Sequence, residues 1–154
     1  QVITPFEHRL EMLKRMIKDN PLFEISYLEI NRPGPHYTID TIQLLSQQEP
    51  DAEIVLLLGG DSLFDLPTWR RHLDLVAAVS KIGVMRRSSH AYNLSALQVQ
   101  IPELTSKVVF IDAQVQPLSS SEIRQRVKDG SVYRCYTLPT VSDYIEEHHL
   151  YREE

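Results

Sequence analysis

The chain has 154 residues, 42% hydrophobic and 24% charged, a length that suits one domain able to bury roughly 70% of its unfolded surface. Lys and Arg number 16 against 21 Asp and Glu, a net charge of −5, which disfavours generic binding to a nucleic-acid duplex. One cysteine, Cys135, excludes an internal disulfide and a paired-cysteine zinc site and fits a reducing, cytoplasmic setting, while the longest clean apolar run, 54–58, is far short of the about 18 residues of a membrane span.

Thr4-Pro5-Phe6-Glu7 has capping-box spacing, with Pro5 at the first helical position. Phe6, Leu10, Leu13 and Ile17 then recur on one helical face, and Asp19-Asn20-Pro21 ends the helix. Alternation over 24–30 predicts a strand, and Asn31 to Pro35 a loop. Thr38 is placed to cap a second helix running to about Gln48, with Ile39, Ile42 and Leu45 inward. The run Ala52–Gly60 reads as a strand buried on both faces, the mark of a parallel sheet. Lys81–Met85 and Lys107–Asp112 are two more such strands, separated by helical segments at 63–66, 68–79 and within 93–104. Helices over 119–129, closed by Gly130, and from Pro139 onward complete an α/β doubly wound pattern in one domain, 1–154. Cys135 reads as a packed side chain, and His148 and His149 as exposed helix-end residues.

Ligands of parallel α/β sheets bind beyond the carboxyl ends of the strands. Gly59-Gly60-Asp61-Ser62 follows a strand directly: glycines let a ligand approach the backbone, and Asp61 can accept from ribose hydroxyls. Seven residues on, Trp69 offers a flat face to a heteroaromatic ring, with Arg70 and Arg71 read as solvated. In Leu118-Ser119-Ser120-Ser121-Glu122-Ile123-Arg124, Ser119 and Glu122 form a capping box with Leu118 and Ile123 as its staple. The free N–H groups of that helix, its hydroxyls and Arg124 suit a phosphate. The loop Gly34 to Thr41 delivers Tyr37 and Thr38 to a helix N-terminus that can hold a small carboxylate. Each feature has a plain structural counterpart: Asp61 as an N-cap, Trp69 packed on its own helix, an ordinary capped helix at Ser119, a structural turn at Tyr37. No His, Cys and carboxylate cluster has metal-ligand spacing.

Taken jointly, TPFEHRLEMLKRMI, RPGPHYTIDT, LLLGGDSLFDLPTWRRHLDL, LSSSEIRQRV and LPTVSDYIEEHHLY resemble the nicotinate-nucleotide adenylyltransferase family in that family's order across essentially the whole chain. The serine motif departs at two places, with Leu118 for Ile and Ser121 for Thr, and keeps the hydroxyl. The resemblance implies a Rossmann-like nucleotidyltransferase fold, a parallel sheet flanked by helices. It implies transfer of the adenylyl group of ATP to nicotinate mononucleotide in NAD biosynthesis, with Mg²⁺ carried on ATP. Ser120, Ser121 and Arg124 would bind the ATP phosphates, Arg124 acting in catalysis, while Gly59 and Asp61 would line the adenosine side. Tyr37 and Thr38 would take the pyridine carboxylate and Trp69 would stack on the ring. The partners are then these two substrates, without nucleic acid or membrane, and a homo-oligomer is compatible with the resemblance. The family's opening strand and His-X-Gly-His loop have no match, and the chain starts at Gln1, so an N-terminally incomplete domain is expected. The alternatives are a non-catalytic nucleotide-binding remnant or interaction domain, and an adenylyltransferase using nicotinamide mononucleotide. In the family's strand order two absent strands would separate 24–30 from 54–58, exposing Ile25, Tyr27, Val55 and Leu57 unless the two segments pair directly.

Overall fold

The structure is a computed structural model that describes residues 3–86, 94–112 and 118–152. Two compact units divide the chain: Tyr27–Gln116, and Gln1–Ser26 together with Pro117–Glu154.

The Tyr27–Gln116 unit is built on three parallel strands, β1 (Val55–Gly59), β2 (Lys81–Arg86) and β3 (Val108–Asp112), side by side in chain order. Val55 aligns with Lys81 and Gly59 with Met85; Ile82 aligns with Val108 and Arg86 with Asp112. Parallel strands need crossover connections, and these are right-handed. When successive strands advance in one direction, that handedness puts every crossover helix on the same face. The burial pattern agrees. Leu58, Ile82 and Val84 point into one core with Ile39 and Ile42 of α2 (Thr38–Gln48), Leu63 of α3 (Gly60–Asp65) and Leu75 and Val76 of α4 (His72–Ala78). Leu97 of α5 (Ser95–Gln100) and Leu104 of α6 (Leu104–Lys107) close the same core.

The opposite face of the sheet carries Val55, Leu57, Met85, Val109 and Ile111, all exposed, Leu57 by 59%. The strand over 54–58 is therefore covered on one face, not on two. Gly83 sits between the tallest residues of that open face: a Cβ there would come 2.7 Å from Leu57 Cδ2 and 2.9 Å from Ile111 Cδ1.

Segment 24–30 forms no strand. Residues 24–27 are irregular and 28–30 turn, with Asn31 N–H donating to Tyr27 O at 3.0 Å. A strand exists only through ladder bonds to a neighbour, and among the described residues β1 pairs with β2 alone. Tyr27, Val55 and Leu57 are exposed and Ile25 is half-buried. The helix expected over 68–79 is shorter than its pattern suggests: a 3₁₀ turn (Leu66–Thr68) is followed by extended Trp69, and α4 starts only at His72. Of the 93–104 segment, Asn93 lies outside the described residues, and α5 starts at Ser95.

The other unit contains α1 (Phe6–Ile17), α7 (Ser120–Lys128) and α8 (Pro139–Glu147). Val127, Tyr133 and Ile145 form its core, with Met12, Ile123, Val141, Leu150 and Tyr151 packed against it. The Phe6–Leu10–Leu13–Ile17 stripe of α1 is not what packs on α8. The His8–Met12–Arg15 side does so: His8 Nδ1 lies 3.0 Å from the Tyr144 hydroxyl, and Arg15 Cζ lies 4.5 Å from the Tyr144 ring centroid. Phe6 and Leu13 stay exposed. The expected capping box at Thr4 is also absent, because Pro5 is the N-cap and Thr4 lies one residue too early. Cys135 is exposed, not packed, since it sits in a short 3₁₀ turn (Arg134–Tyr136) with no buried residue. Gly130, at φ 66°, ends α7: Ser131 N–H donates to Arg126 O at 2.8 Å and Gly130 N–H to Val127 O at 3.2 Å, the two bonds of a Schellman cap.

Lys107 Nζ donates to the carbonyls of Val76, Ala77 and Val79 at 2.8, 3.0 and 3.0 Å, gathering the orphan C-terminal carbonyls of α4. Lys107→Met should lower unfolding stability in urea by about 2 kcal/mol, because charged donors to otherwise unpaired carbonyls are removed; an unchanged midpoint would mean water replaces them. The Tyr133 phenol is pushed up from 10.0 to about 12, first by burial and then by its hydrogen bond to Glu146. Its folded value lies above its unfolded one, so its contribution is complete below pH 10 and is lost as pH rises towards about 12. Tyr133→Phe should flatten the alkaline fall in stability within that window; identical pH profiles would refute the assignment.

Candidate functional site

In the Tyr27–Gln116 unit, His36, Tyr37 and Thr38 face Thr68, Trp69, Arg70 and Leu75 across a cleft of about 260 Å³. Its two walls are a helix start and a turn. Tyr37 is the N-cap of α2, extended at φ −111° and ψ 139°, so Thr38 begins the helix and does not cap it. The first N–H groups of α2 lack intrahelical partners, and this end carries the positive pole of the helix dipole. Tyr37 and Trp69 are both half-buried and both rest on the core. Trp69 thus packs on the core and also lines the cleft.

The loop leading to Tyr37 is fastened by Arg32. Its Nη2 donates to Thr41 Oγ1 at 2.9 Å and to Tyr37 O at 3.5 Å, while Nη1 lies 3.7 Å from Asp40 Oδ2. Thr41 in turn donates to Glu29 Oε1 at 2.6 Å. This network ties the 29–37 loop to the first turn of α2, and neither Arg32 nor Thr41 was singled out from the sequence. The opposite wall turns on Arg71, whose φ of 52° lies in the left-handed region and whose Nε pairs with Asp74 at 2.7 Å. Arg70 is exposed, as read from the sequence, and its guanidinium also lies over the Tyr37 ring, 4.4 Å from the centroid.

Gly59 and Asp61 lie apart from this cleft's lining, at the carboxyl end of β1 and in the first turn of α3. Gly59 has ordinary backbone angles, φ −75° and ψ 158°, and a Cβ there would meet nothing within 4 Å. The fold itself therefore does not demand glycine at this position. The Asp61 side chain is exposed.

In the other unit, Ser119 caps α7 by accepting from Glu122 N–H at 3.1 Å. Only half of the expected capping box forms, because the Glu122 carboxylate is taken by Arg126 at 2.9 Å. Ser121 and Arg124 share one face, with Arg124 Nη2 donating to Ser121 Oγ at 3.1 Å. Both line a cleft of about 520 Å³ with Thr4, Gln125, Lys128 and Tyr151 among its walls. Ser120 is exposed at the first helical position, outside that lining. Among the described residues no carboxylate pairs with Arg124, and no three His, Cys, Asp or Glu side chains group as a metal site. No described helix is long and apolar enough to cross a membrane.

A model of the cytidylyltransferase-like family matches residues 1–126. A Thermomicrobium roseum protein named probable nicotinate-nucleotide adenylyltransferase is 39% identical over 150 residues, covering 97% of this chain and 70% of its own length. A Roseiflexus sp. protein of the same name is 41% identical over 150 residues, covering 97% and 74%. Among solved structures, Plasmodium falciparum nicotinic acid mononucleotide adenylyltransferase complexed with NaAD matches 98% of this chain and 76% of its own, with a TM-score of 0.76 at 22% identity, a likeness of fold.

Proposed function

The chain belongs to the nicotinate-nucleotide adenylyltransferase family, and from that premise we propose that it transfers the adenylyl group of ATP to nicotinate mononucleotide, giving deamido-NAD and pyrophosphate. The observation that carries this reading is the 260 Å³ cleft, where an aromatic face, a helix N-terminus and a cation converge. Few ligands ask for all three at once, and an aromatic ring bearing a carboxylate is one. In this reading Trp69 stacks on the pyridine, and the N–H groups at Tyr37 and Thr38 receive its carboxylate.

Ser120, Ser121 and Arg124 are assigned to the ATP phosphates. The support is chemical: a helix start, two hydroxyls and a guanidinium that no carboxylate occupies among the described residues. Gly59 and Asp61 are assigned to the adenosine side, in keeping with the open space at Gly59 and the exposed carboxylate. The mononucleotide phosphate attacks the α-phosphorus of ATP, the bond to the bridging oxygen breaks, and pyrophosphate leaves with its electron pair. No covalent enzyme intermediate is needed. The chain's own contribution is to position two anions and to oppose the charge that grows on the leaving group, a task for Arg124. Mg²⁺ belongs to this reading as the ion carried on the ATP phosphates, where it neutralises charge. The two units are read as parts of one catalytic domain, since a single alignment with a relative runs through 150 residues. The setting remains cytoplasmic, in line with the single cysteine.

Incubation of the protein with ATP, Mg²⁺ and nicotinate mononucleotide should yield deamido-NAD and pyrophosphate in equal amounts; absence of both products would overturn the reading. Arg124→Ala should lower transfer at least about tenfold, mainly through ATP, because a charged hydrogen bond to phosphate contributes roughly 1.5–3 kcal/mol. An unchanged ATP dependence would put the phosphates elsewhere. Trp69→Ala should raise KM for nicotinate mononucleotide and leave that for ATP near its original value. If both constants move together, Trp69 serves the core alone.

A further inference from the structure

We propose that Arg70 is the specificity-determining residue of the cleft, the group that makes it choose a pyridine carboxylic acid over the corresponding amide. This rests on the reading of the cleft as a pyridine site and names what sets its selectivity.

The neighbouring arginines are already occupied. Arg71 is paired with Asp74 at 2.7 Å, and Arg32 is held by Thr41 at 2.9 Å with Asp40 at 3.7 Å. Arg70 has a neutral partner, the Tyr37 ring at 4.4 Å, and no carboxylate pairs with it among the described residues. A cation–π contact leaves the charge of the guanidinium unneutralised, and a ring can face only some of its five N–H donors. The remaining donors match the two oxygens of a carboxylate. Arg70 therefore retains both its charge and its fork, in a wall it shares with Trp69. Tyr37 rests on the core, so the ring beneath the guanidinium is itself anchored.

The cleft's dimensions fit this ligand chemistry. About 260 Å³ lies below the roughly 300–1,000 Å³ of drug-sized ligand sites, so the cleft has room for a single substituted ring, with the remainder of a nucleotide outside. Trp69 and Leu75 supply apolar contact, and Thr38 and Thr68 line the rest. An amide at the carboxylate position would present its own N–H groups to a donor-only guanidinium and would carry no charge to offset it. Discrimination thus has a repulsive part as well as an attractive one. The N–H groups of α2 favour the acid too, but with a partial charge of about half a unit against the full charge of Arg70.

Calorimetric binding of nicotinate mononucleotide and nicotinamide mononucleotide to the full 154-residue chain tests this, with Arg70→Gln and Arg70→Lys beside the original protein. Arg70 is exposed, so neither change disturbs the core. The original protein should bind the acid more tightly, and Arg70→Gln should weaken acid binding about tenfold while leaving amide binding unchanged. Arg70→Lys should keep part of the preference, because charge survives and the fork does not. Rising salt should erode the preference of the original protein and not that of Arg70→Gln. If Arg70→Gln keeps the full acid preference, or weakens both ligands equally, Arg70 is a wall and the proposal falls while the pyridine site stands. If the original protein binds neither mononucleotide, the pyridine reading fails and takes the proposal with it.

Discussion

The handedness of parallel crossovers governs the larger unit. Three parallel strands in the order β1-β2-β3, joined by crossovers of the usual right hand, put the crossover helices on one face. The core of this unit lies on that face, the row Val55, Leu57, Met85, Val109 and Ile111 is exposed on the other, and at Gly83, where Leu57 and Ile111 close over the backbone, a Cβ would have to push them aside. The same one-sided core seats the cleft. Ile39 and Ile42 fix the first two turns of α2, and Leu66 and Leu75 fix the turn that carries Trp69 from both ends. Side chains on those two supports are therefore held by buried neighbours, and the cleft is preorganised rather than formed by rearrangement.

Charge pairing says more about this protein than net charge does. A formal charge of −5 gives no hint of anion binding, yet anion sites depend on a few local cations. Most of the described arginines are paired with a carboxylate: Arg15 with Glu11, Arg32 with Asp40, Arg71 with Asp74, Arg86 with Asp112, Arg126 with Glu122, Arg134 with Asp143 and Arg152 with Glu146. Such exposed pairs contribute little stability. Their value here is diagnostic, because a guanidinium already matched to a carboxylate offers less to an incoming anion. Arg70 and Arg124 are matched to a ring and to a serine hydroxyl, and each lies in the lining of a cleft.

What could be read from the sequence, and what could not, divides along local against non-local causes. The three strands, α2, α7 and α8 were legible to within about three residues, the largest miss being the start of β1, read at Ala52 and found at Val55; apolar runs, Pro139 at a helix start and the Gly130 cap are local signals. Segment 24–30 alternates as a strand does, but alternation states only a preference; pairing requires a partner, and the turn at Tyr27–Asn31 takes the backbone elsewhere. The α1 stripe misled for a related reason. Phe6, Leu10, Leu13 and Ile17 do lie on one face, but sequence periodicity cannot say which neighbour a helix meets, and α8 meets the His8 side. Tyr37, Thr38 and Trp69 were identified as site candidates from residue chemistry. Arg32 and Arg70 were not, because the roles of a clamp and of a free cation depend on what lies opposite.

The turn at 66–71 shows how much depends on such a detail. A continuous helix over 68–79, as the apolar spacing suggests, would fan Thr68, Trp69 and Arg70 over about 200°, too wide for one cleft wall. Ending the 3₁₀ turn at Thr68 and extending Trp69 (φ −73°, ψ 145°) breaks that fan, so all three residues line the same space. The cost is a non-glycine residue in the left-handed region at Arg71, a conformation unfavourable by roughly 1–2 kcal/mol. Leu75, fully buried in α4, holds the segment from behind, and Arg71 Nε lies 2.7 Å from Asp74 in the first turn of that helix. Strain held in place by a buried helix is how a rigid scaffold presents residues that helical geometry would scatter. Here the residues presented are the Trp69 indole and an arginine whose guanidinium lies over the Tyr37 ring.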